Sequence, residues 1–155
     1  MKVESLHSLM FNPAWTSSLL EYFLSGSKAV AGKGVSLEVI FLVLPFVFNP
    51  VLRKTLASKR IDTNLSTVLN DPMVRIEVLK FGKSIDRYRG VTRSAILALG
   101  SKAFLVNGRL TVESGVDYKS ADINIRPFCK AAYLLGAILC KELDKDVFIK
   151  LGAMS

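Results

Sequence analysis

Residues 92–112 read TRSAILALGSKAFLVNGRLTV, and the hydrophobic period changes in the middle of this stretch. Apolar residues recur at helical spacing from Thr92 to Leu99, which predicts a short helix with the threonine as its cap. Two short β-like runs follow, Ala103–Val106 and Arg109–Val112. They are joined by Asn107-Gly108, the pair that a two-residue type I′ hairpin turn prefers. A helix followed by a β-hairpin is therefore predicted.

Upstream of this stretch the same helix start occurs three times. Asn or Asp precedes proline at Asn12-Pro13, Asn49-Pro50 and Asp71-Pro72. A side-chain oxygen at the N-cap accepts an unpaired backbone N–H, and proline at the first helical position loses no hydrogen bond. We therefore predict a helix beginning at each proline. Thr63 is the predicted cap of a further short helix, Leu65–Leu69.

Three glycines are predicted to end helices, because glycine is common just beyond a helix C-terminus. Gly100 is expected to close the short helix that begins at Thr92. The first helix is expected to run from Pro13 to Leu24 and to stop at Gly26. A second, amphipathic helix is expected to begin near Met73 and to stop at Gly90.

The most apolar segment, Val35 to Phe48, is predicted to be a buried helix. Its 14 residues include Glu38 and Pro45, and about 20 apolar residues are needed to cross a bilayer. Pro45 should kink the segment or divide it into two short helices. Since Met1 to Met10 also lacks the pattern of a secretory signal, we expect a cytoplasmic protein that does not enter a membrane.

The order of elements favours a mainly α fold with a small β-hairpin, forming one winged-helix-like domain over residues 1–155. Thr92 to Leu99 would be the recognition-type helix and Phe104 to Val112 the wing. A long, largely buried helix is expected to close the fold from Arg126-Pro127 through Leu143. Hydrophobic residues make up 50% of the chain and the mean hydropathy is +0.36. Part of this apolar surface is expected to face a partner.

The excess positive charge lies in the middle of the chain. Pro50 to Arg109 holds 12 Lys/Arg and 4 Asp/Glu, whereas the remaining residues hold 9 of each. This stretch is either a solvated basic face or a surface for nucleic acid or an acidic partner. If it binds duplex DNA, neutralising about six phosphates gives a log–log salt slope near −5. The side chains expected to contact phosphates are Arg87, Arg89, Arg93, Lys102 and Arg109.

No catalytic constellation is predicted. The chain has no phosphate-binding GxxxxGK[ST] loop, no GxSxG elbow, no HExxH and no dinucleotide-binding glycine fingerprint. His7 is the single histidine and has no evident nucleophile or orienting acid. Glu142, Asp144 and Asp146 alternate with lysines, as on a solvated helix end. We therefore expect neither an enzyme nor a metal or cofactor site.

Cys129 and Cys140 fall in the same predicted helix. Eleven helical residues separate them by roughly 16 Å, and a disulfide needs about 4.4–6.8 Å between Cα atoms. Both are expected to be reduced, small core side chains.

Four stretches, taken in order, resemble one protein family along nearly the whole chain: Asn12-Pro13-Ala14, Phe41-Leu42-Val43-Leu44-Pro45 with Asn49-Pro50, Thr63-Asn64-Leu65-Ser66, and Tyr88-Arg89-Gly90-Val91-Thr92-Arg93. The chain is similar there to the middle component of three-component ABC (Lamassu-type) anti-phage systems. The resemblance implies a non-enzymatic adaptor that joins an SMC-like ABC ATPase to an effector, commonly a nuclease. The alternative is a winged-helix protein that binds double-stranded DNA through its basic face.

Overall fold

The computed structural model describes residues 11–152. Within this range the chain is mostly helical with one antiparallel hairpin. The helices are α1 Pro13–Val30, α2 Leu37–Ile40, α3 Val43–Val47, α4 Pro50–Ala57, α5 Leu65–Leu69, α6 Pro72–Val78, α7 Phe81–Leu99, α8 Arg126–Leu139 and α9 Asp144–Gly152, and the strands are β1 Ala103–Val106 and β2 Arg109–Val112. This order confirms the predicted fold class. His7 lies outside the described residues.

The three Asn/Asp-Pro helix starts are confirmed. In each, the cap side chain accepts the backbone N–H two residues ahead, at 2.9 Å for Asn12, 3.0 Å for Asn49 and 2.9 Å for Asp71. The cap predicted for α5 was wrong by one residue. Asn64, not Thr63, has the extended backbone before the first helical residue, and its side chain accepts the N–H of Thr67 at 2.9 Å.

Gly26 does not end α1, which continues to Val30. A Cβ added at Gly26 would lie 1.9 Å from the carbonyl oxygen of Tyr133, and one added at Gly136 would lie 2.0 Å from that of Phe23. These two glycines therefore let α1 and α8 cross with their backbones in contact. The glycine that was predicted to be a cap is instead required by the crossing.

Gly90 does not end a helix either. The chain breaks earlier, at Leu79-Lys80, and α7 then runs unbroken from Phe81 to Leu99. Tyr88, Thr92, Ala95 and Leu99 are buried along one face that crosses the glycine. Burying that continuous face outweighs the cost of about 1 kcal/mol for one interior glycine. Thr92 is consequently a buried side chain inside α7 and not a cap.

The apolar segment before Pro50 is buried and divided into two short helices, as predicted. Helix α2 ends at Ile40 and α3 begins at Val43. Pro45 is the third residue of α3, where a backbone N–H would have no intrahelical partner in any case. Leu42, Val43, Leu44, Phe46 and Val47 are all at most 1% exposed.

No helix in residues 11–152 has by itself the length and apolar composition needed to cross a bilayer. By those two criteria alone, the segments Leu37–Val47 and Pro50–Ala57 pass as a pair, but they are bent by 101°.

The hairpin has the predicted register and turn. Ala103 pairs with Val112 and Val106 with Arg109, and both turn residues have positive φ, 53° at Asn107 and 76° at Gly108. Strand β2 is tied to the loop before α2 by reciprocal backbone hydrogen bonds between Val35 and Leu110 of 2.9 and 2.8 Å. The hairpin follows α7 as a wing would, but the expected recognition helix is the second half of α7 and not a separate element.

The last helix is shorter than predicted. Helix α8 ends at Leu139, and a separate helix, α9, begins at Asp144. Leu143 lies between them and is 59% exposed. Helix α1 packs most extensively against α8 and next against α7. The core is therefore built around helices that are far apart in the sequence, with α3 packed against α1, α7 and α8.

Candidate interaction surfaces

Four of the five basic residues expected to contact DNA are exposed around one helix. Arg87, Arg89 and Arg93 project from α7, and Lys102 lies in the 3-10 turn that follows it. Arg89 is paired with Asp86 at 2.8 Å, and both side chains are at least half exposed. An exposed pair of this kind is weak, so Arg89 can exchange Asp86 for a ligand. The other three side chains are exposed and equally accessible.

Arg109, the fifth of them, bonds within the protein. Its two terminal nitrogens contact the carboxylate of Asp144 at 3.1 and 3.4 Å, and its Nε donates to the carbonyl oxygen of Gly34 at 3.1 Å. The side chain is 31% exposed. Arg109 thus joins the hairpin, the loop before α2 and the start of α9.

The acidic cluster predicted to be a solvated helix end is in part structural, because two of its three carboxylates form ion pairs. Asp144 is the partner of Arg109, and Glu142 binds Lys150 at 2.8 Å with its side chain only 16% exposed. Two further arginines of the basic stretch also bond to backbone carbonyls, Arg53 to Val47 and Arg75 to Leu69. The mid-chain positive charge is therefore not purely a solvated face.

Helix α6 exposes an apolar face. Val74 and Val78 are fully buried, whereas Met73, Ile76 and Leu79 are 56%, 51% and 58% exposed. These three recur every three residues on the outward side, and we call them the α6 face. An amphipathic helix ordinarily places polar residues there. Apolar side chains grouped in this position are typical of interaction surfaces.

The hairpin also exposes apolar side chains. Phe104, Leu105 and Val106 of β1 are 42%, 60% and 45% exposed, and we call them the hairpin edge. In the described part of the chain, β1 pairs with β2 alone, so its outer side carries unpaired backbone groups. In a wing that binds DNA, positively charged side chains are expected to contact the phosphates. This one presents an apolar strand instead, which suits a protein partner.

The outer face of α7 allows close approach. A Cβ at Gly90 would have no neighbour within 4 Å, so no contact inside the protein requires glycine at this position. Leu97, two turns further on, is 81% exposed. The face combines basic side chains with a large exposed apolar one, a mixture typical of protein interfaces.

No thiol or metal chemistry is evident among residues 11–152. Cys129 and Cys140 are free and buried, as predicted. Burial raises the pKa of the Cys129 thiol to about 11 and also raises the pKa of Cys140, so both are protonated and unreactive near neutral pH. No group of three His, Cys, Asp or Glu in this range could hold a metal ion.

The α6 face and the hairpin edge were not predicted as sites from the sequence. A signal existed for the first: Met73, Ile76 and Leu79 share a spacing that is out of phase with buried Val74 and Val78. For the hairpin edge no such signal was available, because only the packed structure shows which strand of the hairpin is exposed.

Comparison with known proteins supports the family resemblance. No curated protein and no solved structure matches the chain. A family model described as ABC-three component (ABC-3C) system Middle Component 3 matches residues 1–153. The chain therefore belongs to the family of middle components of ABC three-component systems.

Proposed function

We propose that this middle component is a non-catalytic adaptor in an anti-phage defence complex, where it bridges an SMC-like ABC ATPase and an effector nuclease. The observation that carries the proposal is that two separate segments, the α6 face and the hairpin edge, expose large apolar side chains. A bridging subunit needs two such surfaces, one for each partner. Membership of a middle-component family supports the presence of partners.

These surfaces can strengthen docking by a measurable amount. Burying a Leu, Ile or Met side chain completely contributes roughly 1.5–3 kcal/mol, and the residues of the α6 face are already about half buried. Covering all three should therefore contribute roughly 3 kcal/mol, which is about a hundredfold in affinity. The hairpin edge adds a similar apolar area and the unpaired side of β1. A partner strand could extend the hairpin there.

Co-purification tests the adaptor role. The chain is co-expressed with the two proteins encoded beside it, and the complex is isolated through a tag on this chain. Ile76→Glu with Leu79→Glu alters the α6 face, and Leu105→Glu alters the hairpin edge. Each should release one partner and retain the other. Ile123→Glu is the matched control, because Ile123 is 73% exposed in a loop outside both surfaces.

Three outcomes would contradict the proposal. The first is that the chain purifies without either neighbour. The second is that both surface variants retain both partners. The third is that Ile123→Glu releases partners as readily as the surface variants do.

DNA binding is the second candidate function, favoured by the exposed positions of Arg87, Arg89, Arg93 and Lys102. If these four contact duplex phosphates, log K should fall with log salt with a slope of about −3.6. Arg109 is not included because its guanidinium already binds the carboxylate of Asp144. The measurement is a fluorescence-anisotropy titration of duplex DNA between 50 and 200 mM salt. A slope near zero, or no effect of Arg87→Ala with Arg93→Ala, excludes this function.

A further inference from the structure

A cleft of about 470 Å³ opens beside α8, on residues not used by the α6 face, the hairpin edge or the outer face of α7. It lies between the loop after α4, the 3-10 turn Tyr118–Ser120 and the side of α8. Its volume is within the range of about 300–1,000 Å³ that small-molecule sites occupy. The cations that line it are Lys59, Arg60, Lys119 and Lys130.

Positive charge in the cleft is largely uncompensated. Asp117 is the one carboxylate among the lining residues, and its side chain already accepts the backbone N–H of Lys119 at 2.9 Å. Arg60 has Asp62 at 3.9 Å, with both side chains more than three-quarters exposed. Within residues 11–152, Lys59, Lys119 and Lys130 form no ion pair. With four cationic side chains and one carboxylate, the cleft has a net positive charge that favours the binding of a multiply charged anion.

Two tyrosines supply a flat apolar surface in the same cleft. Tyr118 and Tyr133 contact each other edge to face, with ring centroids 5.2 Å apart, and both line the cleft. A planar ligand can stack on a ring held in this way. Burial, followed by the charges of Asp117 and Tyr118, raises the pKa of Tyr133. Its hydroxyl therefore stays neutral and can donate a hydrogen bond.

The cleft walls are held in place by contacts from elsewhere in the protein. Lys141 Nζ donates to the carbonyl oxygens of Ile61 and Thr63 at 2.5 and 2.7 Å. Thr63 Oγ1 accepts the backbone N–H of Arg60 at 3.2 Å. The loop that carries two of the cations is thus tied to the end of α8. A prepositioned wall reduces the entropy lost on binding a ligand.

We propose that this cleft binds a nucleotide, with its phosphates against the four cations and its base against the tyrosine pair. A phosphate beside a planar base occurs both in a free nucleotide and at the 5′-phosphorylated end of a DNA strand. The cleft is compatible with either source, because it is open on one side. Since the lining residues belong to neither docking surface, nucleotide binding and partner docking can fail independently.

Isothermal titration of the full chain at fixed ionic strength tests the site. The probes are ATP, inorganic tripolyphosphate, and a short single-stranded DNA with and without a 5′ phosphate. We expect saturable binding at one site per chain by ATP or by the phosphorylated strand. Whichever of these two binds more tightly identifies the source of the nucleotide. Tripolyphosphate should bind at least tenfold more weakly, since it lacks the base.

Charge-reversal variants locate the site. Lys119→Glu and Lys130→Glu should each weaken binding at least tenfold, whereas Lys83→Glu, which changes the net charge equally but lies on α7, should change it less than twofold. Tyr118→Leu should weaken binding and Tyr118→Phe should restore it, because the phenyl ring preserves stacking.

Four results would overturn the proposal. In the first, neither ATP nor the phosphorylated strand binds saturably, and in the second, tripolyphosphate binds as tightly as ATP. In the third, the α7 control variant loses as much binding affinity as the cleft variants. In the fourth, ATP does not bind and the affinity for the DNA strand does not depend on its 5′ phosphate. Circular dichroism of each variant distinguishes a lost site from a lost fold.

Discussion

The crossing of α1 and α8 predicts that one substitution, glycine to alanine, has opposite effects at two positions. At Gly26 the added methyl carbon would lie 1.9 Å from the carbonyl oxygen of Tyr133. Since ordinary contact needs about 3.5 Å, the two helices would have to separate by roughly 1.5 Å. Backbone atoms cannot rotate away as a flexible side chain could. At Gly90 the same methyl group meets nothing within 4 Å.

The expected magnitudes follow from these distances. Overpacking a core costs about 1–3 kcal/mol, and separation along the whole α1–α8 contact places Gly26→Ala at the upper end of that range. Alanine recovers about 1 kcal/mol of helix propensity, so the free energy of unfolding should fall by about 2 kcal/mol or more. Gly90→Ala should raise it by about 0.5–1 kcal/mol, because only the propensity term applies.

Urea unfolding followed by circular dichroism at 222 nm measures both effects. The midpoint should move in opposite directions with an unchanged m-value. In thermal melts Tm should fall by about 4–8 °C for Gly26→Ala and rise by about 1–4 °C for Gly90→Ala. Gly136→Ala serves as a second test of the crossing and should resemble Gly26→Ala. A Gly26→Ala variant as stable as the parent chain would refute the close approach of the two backbones.

The remaining predictions concern single contacts. In a double-mutant cycle, Arg109→Met and Asp144→Asn should show a coupling of about 1 kcal/mol, and a value near zero would mean that the pair does not bind in solution. Asn49→Ala should cost about 2 kcal/mol against about 1 for Asn12→Ala, as judged by urea midpoints, because Asn49 also donates to a carboxylate of α6 at 2.8 Å. The raised pKa of Cys129, about 11 against its usual 9.0, means that the unfolded thiol ionises first. The free energy of unfolding should therefore fall as pH rises from about 9 to 11, and Cys129→Ala should reduce that loss.

Features of the fold that depend on neighbouring residues could be predicted from the sequence. The Asn-Pro and Asp-Pro helix starts involve atoms two or three residues apart, and the hairpin turn needs only Asn107 and Gly108 to adopt positive φ. The segment of Pro45 is divided into two short helices, although the division lies between Ile40 and Val43, just before the proline. In each case the deciding interaction lies within one turn of the chain.

The glycines could not be interpreted in the same way. Gly26, Gly90 and Gly100 all follow apolar helical patterns, yet only Gly100 ends its helix, with a positive φ of 54°. Gly26 is explained by a backbone more than a hundred residues away, and Gly90 by the apolar face that continues past it. Helix propensity is a weak preference that tertiary packing overrides.

The candidate sites were predictable only in part. Exposure of Arg87, Arg89 and Arg93 follows from helical spacing, but the partner of Arg109 could not be found, because Asp144 lies 35 residues away in a helix that was not predicted to be separate. The cleft combines Lys59 and Arg60 with residues of two later elements. Its charge is visible in the composition, but its location depends on how α4 and α8 pack.

The pairing of α1 with α8 has a consequence for how the protein is made. The buried side of α1 includes Leu19, Leu20 and Phe23, and these residues leave the ribosome more than a hundred residues before α8 does. During that interval α1 can pack only on the smaller part of its native surface, chiefly α7, so the nascent chain carries exposed apolar side chains that favour aggregation. Contacts of such wide sequence separation also slow folding. Chaperones, or partners synthesised at the same time, therefore have a window in which to bind this subunit before its own core closes.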